Sequence, residues 1–516
     1  MDTISQSTPK MIPQTPTSLQ QWLQEHYHLY WFISITITLI TTFSLFLFYK
    51  SSLLSKKKLK LPPCPLILPL VGNLHQLGSL PHRSLHALSQ KHGPLMLLHL
   101  GKVPAIIISS AELAQEIMKT HDLIFSSRPF SSMANSLLYN SLDIALSPYG
   151  EYWRQVRRIS VIHLLSLKRV QSFGSIREEE VYLMVDKIHA SQGSLVNLSE
   201  ILVAVTNAVV CRVALGRKYD RSNRFREMLI EFAILLGSFP LKDFIPWLGW
   251  VDRITGLDAR VVNNSTEMDS FFEEVLEDHI HSKTSETSDL VDVLLSLDVP
   301  LSRDSTKAII LTIQQRKTAG TDTIFTALEW IMAELMRNPK VMEKVQEEIK
   351  GVVKGKAKVS EEDIVEMIYL KAVIKEALRL HPPIPLLVPR ESTEHVKLHG
   401  FDIPEKTRVV INAWAIGRDP KSWERPEAFM PERFLNSEVD FKGQHFEFIP
   451  FGAGRRGCPG IMFAISTIEL AAAALLHHFD WKLPDGMRTE ELDMSETSGF
   501  NAHMKTSLLV QATPRF

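Results

Sequence analysis

The chain reads as a mainly helical protein with small β-sheets, built as one large body behind a single N-terminal membrane helix. Three observations predict this. An uncharged run near the start is long enough to cross a bilayer, apolar residues recur at helical spacing through most of the remainder, and the extended runs between them are short.

Taken in order, Leu29 to Tyr49 is a run of 21 residues without a charge, rich in Ile, Leu, Phe and Thr. It predicts an anchor over 29–49 and a lumenal tail over 1–28. Lys50, Lys56, Lys57, Lys58 and Lys60 follow it, so the positive-inside rule places the body on the cytoplasmic side. A cleaved signal peptide would have a shorter apolar core, with its basic residues in front. Pro62, Pro63, Pro65 and Pro69 then force an extended course that cannot continue a helix, which makes 50–70 a basic, stiff hinge. The sequons at Asn197, Asn263 and Asn264 would face the cytoplasm and stay unglycosylated.

In the body, 71–516, Leu95 to Ser109 predicts two short strands around Gly101-Lys102, followed by a helix over Ala111 to Thr120. Helical periodicity then covers Glu178–Ala190, Leu198–Leu215, Phe225–Gly237, Thr266–His281, Phe325–Met336, Pro339–Val352 and Leu370–Leu380. Extended runs recur at Val396–Ile403, Arg408–Ala413 and Ser507–Ala512. No repeat, low-complexity tract or internal linker breaks the roughly 450 residues after the hinge, so they predict one unit.

Charge and cysteine usage narrow the function. With 57 basic and 58 acidic residues the formal net charge is 57 − 58 = −1, which gives nucleic-acid binding no support. The three cysteines, Cys64, Cys211 and Cys458, are far apart and form no C-x-x-C pair, so neither a disulfide framework nor a zinc site is indicated. That fits a reducing compartment.

The densest chemical signal is Phe451 to Gly460, FGAGRRGCPG, directly before an apolar helical segment, Ile461 to His478. Phe451, Gly454, Arg456, Cys458 and Gly460 fit F-x-x-G-x-R-x-C-x-G. Free N–H groups at a helix start stabilise a thiolate, and a thiolate is a haem ligand that favours O–O cleavage. The glycines let the backbone pass close to a flat macrocycle, and Arg456 can pair with a propionate. Gly452, Gly454 and Gly457 also spell G-x-G-x-x-G. No acidic residue follows at dinucleotide spacing and two arginines crowd the loop, which counts against that reading.

This loop resembles that of the cytochrome P450 family, and further motifs carry the resemblance from the anchor to about Leu509. Glu376 and Arg379 lie three apart on LKAVIKEALRL. Alone such spacing describes an ordinary surface pair. Here it is similar to the family's E-x-x-R, with Arg433 of PERF as third member of a structural network. Trp153 and Arg157 match a W-x-x-x-R helix, and Arg390 a third position, which the resemblance assigns with Arg456 to haem propionates. Ala319-Gly320-Thr321-Asp322-Thr323 resembles the oxygen-activation motif, implying that Asp322 and Thr323 relay protons.

One departure stands out. Gln314, Gln315, Arg316 and Lys317 follow Lys307–Ile313 where the family pattern has a short apolar link, and the segment is about three residues too long. Three residues add ~300° of rotation and ~4.5 Å of rise to a regular helix, which would bring Arg316 and Lys317 toward an apolar pocket. Either a bulge or loop expels them or an exon junction is misplaced. Ile324 also stands where the pattern has Thr or Ser.

The resemblance implies a haem b monooxygenase in the endoplasmic reticulum membrane, single-pass, with its catalytic domain in the cytoplasm. It would insert one atom of O2 into a lipophilic small molecule such as a plant terpenoid, phenolic or alkaloid. No NADPH or flavin site is visible, so electrons would come from NADPH through a separate cytochrome P450 reductase, with cytochrome b5 as a further partner. Arg154, Arg158 and Arg455 offer the reductase a basic face. Family recognition segments place Ser131, Met133, Asn135, Ala319, Ile384, Leu386, Leu387 and Phe500 in the substrate wall. Two alternatives remain open here: an oxygen-independent haem isomerase or dehydratase, and a haem-binding protein impaired at 314–317.

Overall fold

The computed structural model describes residues 30–46, 59–191, 194–216, 223–281, 289–297, 301–314 and 321–515. These fall into two units, one ending at Lys60 and one running from Leu61 onward. The first contains an apolar helix, Tyr30–Phe46. Its side chains are exposed along its whole length, Phe32 to 75% and Leu45 to 67%. The hydroxyls of Thr36, Thr38, Thr41 and Thr42 donate back to carbonyls one turn earlier. The helix thereby satisfies its own polar groups, as an apolar surrounding requires. Tyr30–Phe46 is a shorter apolar helix; the two described helices long and apolar enough to cross a membrane, Leu198–Leu215 and Ile461–His478, are both largely buried in the core of the second unit.

The second unit is mainly helical with three small sheets. Strands β1 (Leu95–Leu100) and β2 (Val103–Ile108) form the expected hairpin around Gly101-Lys102, with Leu95 opposite Ile108. Strand β3 is Leu195–Asn197, β4 Arg390–Glu391, β5 Val396–Leu398, β6 Phe401–Ile403 and β7 Arg408–Ile411. Strands β8 (Phe479–Lys482) and β9 (Leu509–Pro514) complete the set. The sheets run β1-β2-β7-β4, β3-β9-β8 and β5-β6. The extended run at 396–403 is a hairpin rather than one strand, because His399 and Gly400 both take positive φ, 47° and 77°, and reverse the chain.

Most expected helices appear with shifts of a few residues at their ends. The 266–281 helix is longer, starting at Leu257. Its first turns look polar in sequence, yet Val261, Asn264 and Met268 form a buried stripe, and Arg260 pairs with Glu231 at 2.7 Å. Helices at Ser132–Leu137 and Leu290–Leu295, 6 residues each, are too short to show a period, and Pro81–His92 buries two polar residues, His82 and Ser89, beside Leu85, which hides its inner face. The main core joins the helices Gly174–His189, Leu198–Leu215, Thr321–Arg337, Ile368–Leu380 and Ile461–His478. The last of these is packed on nearly every side, and the loop ahead of it is half-buried, with Gly454 and Arg455 exposed and Ala453 and Arg456 turned inward.

Two of the sequons are structurally committed. Asn197 caps the Leu198–Leu215 helix, and Asn264 is buried with its amide bonded to the Met228 carbonyl at 2.9 Å.

Candidate haem-thiolate site

The cysteine loop is shaped by its glycines and by contacts from distant segments. Gly454 sits at φ 69°, where a Cβ would lie 2.2 Å from the Met118 carbonyl oxygen, so no other residue fits. The Cys458 N–H closes the loop on the Phe451 carbonyl at 2.9 Å. Phe451 packs against Phe441, ring centroids 5.5 Å apart. Burial pushes the Cys458 thiol up, while the Gly460 N–H and the Arg157 guanidinium pull it down. A bound metal cation would reverse that balance and deprotonate the sulfur outright.

Around the loop stand four arginines. Arg157, on the Glu151–Ile159 helix, donates from Nη2 to the Gly457 carbonyl at 2.7 Å. Arg390, on β4, donates from Nη2 to the Ala453 carbonyl at 2.7 Å and pairs with Asp122 at 3.2 Å. Arg456 bonds the carbonyls of Ser126 at 2.7 Å and Ser147 at 2.6 Å, and stacks over the Trp153 ring at 4.0 Å. Arg128 bonds the carbonyls of Ala145, Val388 and Pro389 at 2.7–2.8 Å. Burial, and next the neighbouring Arg390, bring the Arg456 guanidinium down to about 9. Arg128 is held well below its ordinary value by burial and by Arg456 and Arg390.

Only Asp122 and Asp143 oppose these four cations among the described residues, and Asp122 also pairs with Arg455 at 3.3 Å. Arg128, Arg390 and Arg456 are buried and Arg157 half-buried, and their excess of about two positive charges is unfavourable unless an anion completes it. The two carboxylates of haem b would supply that charge, and the sulfur at Cys458 and the tight glycine loop would suit its iron and its flat face. The residues present fit the group.

Trp153 is placed differently from its expected role as a donor to a carboxylate. Its one N–H is committed to the Ile144 carbonyl at 3.0 Å, and the ring serves as a platform for Arg456. Arg128 had no local sequence pattern to reveal it, because most of its partners lie some 260 residues away. The nearest signal is a lone charge in FSSRPF, where nothing adjacent could neutralise it.

Glu376 and Arg379 form a bidentate pair, both bonds 2.8 Å, with both side chains wholly buried. Glu376 also accepts from Arg433 at 3.1 Å and from the Met430 N–H at 2.8 Å, and Arg379 donates to the carbonyls of Gly417, Pro426 and Ala428. The three residues named from sequence are thus in one network. It ties the Ile368–Leu380 helix to the 417–433 segment that leads toward the cysteine loop.

On the Thr321–Arg337 helix Asp322 is buried and Thr323 half-buried, while Ile324 is sealed in the core. Residues 315–320, including Ala319, Gly320 and most of the suspected insertion, lie outside the described residues. The Ser131 hydroxyl caps the Ser132–Leu137 helix, and Asn135 accepts from Ser141 at 3.0 Å, so both serve the local fold. Met133 and Leu387 pack in apolar clusters, and Leu386 packs against a third under the main sheet. Leu387 takes φ 52° and reaches toward Gly452 of the cysteine loop. Ile384 and Phe500 are half-buried.

Comparison with known proteins agrees with this geometry. The family model described as cytochrome P450 matches residues 62–509. Cytochrome P450 736A117 of Prunus mume is 51% identical over 501 residues, covering 94% of this chain and 96% of the relative. Cytochrome P450 71A1 of Persea americana is 54% identical over 459 residues, covering 86% and 91%. A solved zebra fish cytochrome P450 with abiraterone superposes with a TM-score of 0.72 at 26% identity, covering 84% of this chain and 99% of that one. The chain belongs to the cytochrome P450 family. It is a haem b monooxygenase that acts on a small molecule and draws its electrons from a redox partner. The isomerase and impaired-binder alternatives are not favoured by these relatives.

Proposed function

We propose that this chain inserts one oxygen atom of O2 into a lipophilic plant specialised metabolite, a terpenoid, phenolic or alkaloid, while the other atom leaves as water. Electrons come from NADPH through a membrane-bound cytochrome P450 reductase, with cytochrome b5 as an accessory donor. The Tyr30–Phe46 helix supports an anchor in the endoplasmic reticulum, and the lysines from Lys50 to Lys60 support a cytoplasmic body. Another relative, 49% identical over 491 residues, is named norfluorocurarine oxidase, from Strychnos sp, which supports a specialised metabolite as substrate.

The observation that carries this reading is the juxtaposition of the Cys458 sulfur with a buried surplus of arginines. When bound, haem b supplies the activation of dioxygen. Cys458 would hold its iron, with Phe451 and Gly460 shaping the loop around the sulfur. Arg128, Arg157, Arg390 and Arg456 would meet its carboxylates, with Trp153 backing Arg456. The Glu376–Arg379–Arg433 network would keep the loop's support rigid. Asp322, buried in the first turn of its helix, and Thr323 would carry protons inward from solvent. Ile384, Leu387 and Phe500 would bound the apolar space for substrate.

The test is Cys458→Ser in the purified, haem-loaded protein. The thiolate-type reduced-CO absorbance should disappear while the chain stays folded. Its survival in the serine variant would remove the reading.

A further inference from the structure

Glu329 lies on the same helix as Asp322, seven residues and about 10 Å of rise further along. Its carboxylate is buried, 1% exposed, and among the described residues no cation pairs with it. Its oxygens accept instead from the Ser199 hydroxyl at 2.5 Å and the Met504 N–H at 3.0 Å. Ser199 in turn accepts the Leu508 N–H at 2.8 Å. Glu329 thus holds Met504 directly and Leu508 through Ser199, in a segment, 504–508, where Met504 also bridges to Glu496 and the Leu508 carbonyl accepts the Leu198 N–H at 2.9 Å.

That segment is the returning arm of a hairpin with Phe500 near its tip. Thr497 N–H bonds the His503 carbonyl at 2.9 Å and Lys505 N–H the Ser495 carbonyl at 2.8 Å, which closes the hairpin on itself. Those bonds set its shape and leave its position along the helix open. Position comes from several anchors: Glu496 pairs with His82 and Arg83 at 2.8 and 2.9 Å, the Ala502 N–H bonds the Pro383 carbonyl at 3.0 Å, and the helix itself contributes Glu329 and the next residue, Trp330, whose N–H reaches the Ala502 carbonyl at 2.8 Å. A carboxylate buried without a cation is a costly choice on stability grounds, since an apolar residue of similar volume would fill the same space. Its two directed acceptors do what an apolar residue cannot: they fix register.

We propose that Glu329 is a positioning residue for substrate specificity, holding Phe500 at a set place relative to Asp322 and Thr323 on its own helix. The inference rests on the reading of Phe500 as part of the substrate wall. In Glu329→Gln one acceptor remains for Met504, while the amide NH2 faces Ser199 and displaces its hydroxyl proton, so the grip on Leu508 loosens.

The experiment titrates two probes into the haem-loaded, full-length protein and follows the spectral shift. Imidazole is the small probe, whereas the added ring of 4-phenylimidazole would meet the wall. Glu329→Gln should weaken 4-phenylimidazole by about fivefold and leave imidazole within about twofold, with an unchanged reduced-CO spectrum. Phe500→Ala should do the same, and the double variant should be no worse than Phe500→Ala alone. Should Glu329→Gln yield too little pigment, Ser199→Ala, which spares the carboxylate, decides the matter with the same split at about twofold. Additive losses, equal losses for both probes, or no loss in the Glu329 and Ser199 variants would overturn the positioning role and leave the wall standing. A Phe500→Ala variant that binds 4-phenylimidazole normally would instead remove the wall, and this inference with it.

Discussion

Arg379 shows how much a single residue carries in this fold. It makes two bonds to Glu376 and three to backbone carbonyls, all out of reach of water. Arg379→Ala would strand a buried carboxylate and three carbonyls, a loss of about 3–5 kcal/mol. We expect a lowered melting temperature and little haem retained on purification. Arg379→Lys should rescue poorly, since an ammonium cannot reproduce the planar two-point contact. Wild-type haem content in the alanine variant would show the network to be dispensable. Three-residue spacing on a helix brings the two side chains together, but it was the resemblance to the family's E-x-x-R that marked them as a structural network rather than a surface pair. Arg128 could not be read from the chain, because what surrounds it is supplied by segments brought in from far along the chain.

At the level of elements, the apolar stripe decided what was legible. Leu198–Leu215 is apolar enough to mark both its ends, whereas the start of the Leu257–His281 helix hides its buried residues among Asn, Ser and charged neighbours. The Thr321–Arg337 helix makes a prediction of its own through Glu329. Burial pushes that carboxyl up to about 7, against the pull of the Ser199 and Met504 donors. A folded-state value above the unfolded one near 4.5 means that the proton is held more tightly in the folded state. The stability it brings is therefore present below pH 4.5 and lost as pH rises toward 7. Glutamine does not titrate, so the melting temperature of Glu329→Gln minus that of wild type should climb between pH 4.5 and 7. A difference that stays flat across that window would show that the group does not titrate there.

For the whole molecule, a net charge of −1 offers a redox partner no general attraction, so docking must rely on a local patch. Arg154 and Arg158 are exposed one turn apart on the Glu151–Ile159 helix, the helix whose Arg157 touches the cysteine loop from within. Arg455 is half-exposed but engaged with Asp122, which leaves the first two as the better candidates for the patch. Reversing both to Glu should raise the reductase concentration needed for half-maximal turnover by roughly tenfold, more at low salt than at high, without altering the reduced-CO spectrum. Unchanged kinetics would place the docking face elsewhere.

Local spacing was enough to reveal the helical character of the body, the apolar N-terminal helix, the cysteine loop and the Glu376–Arg379 pair. Each depends on residues near one another in the chain, where the fixed pitch of a helix or a tight turn dictates which side chains meet. The folded structure alone decided three other things: the parallel pairing of β2 with β7, the gathering of four arginines around one loop, and the seating of the Phe500 hairpin on Glu329. Those depend on which distant surfaces lose water together. Desolvation is a property of the assembled core that no stretch of neighbouring residues encodes.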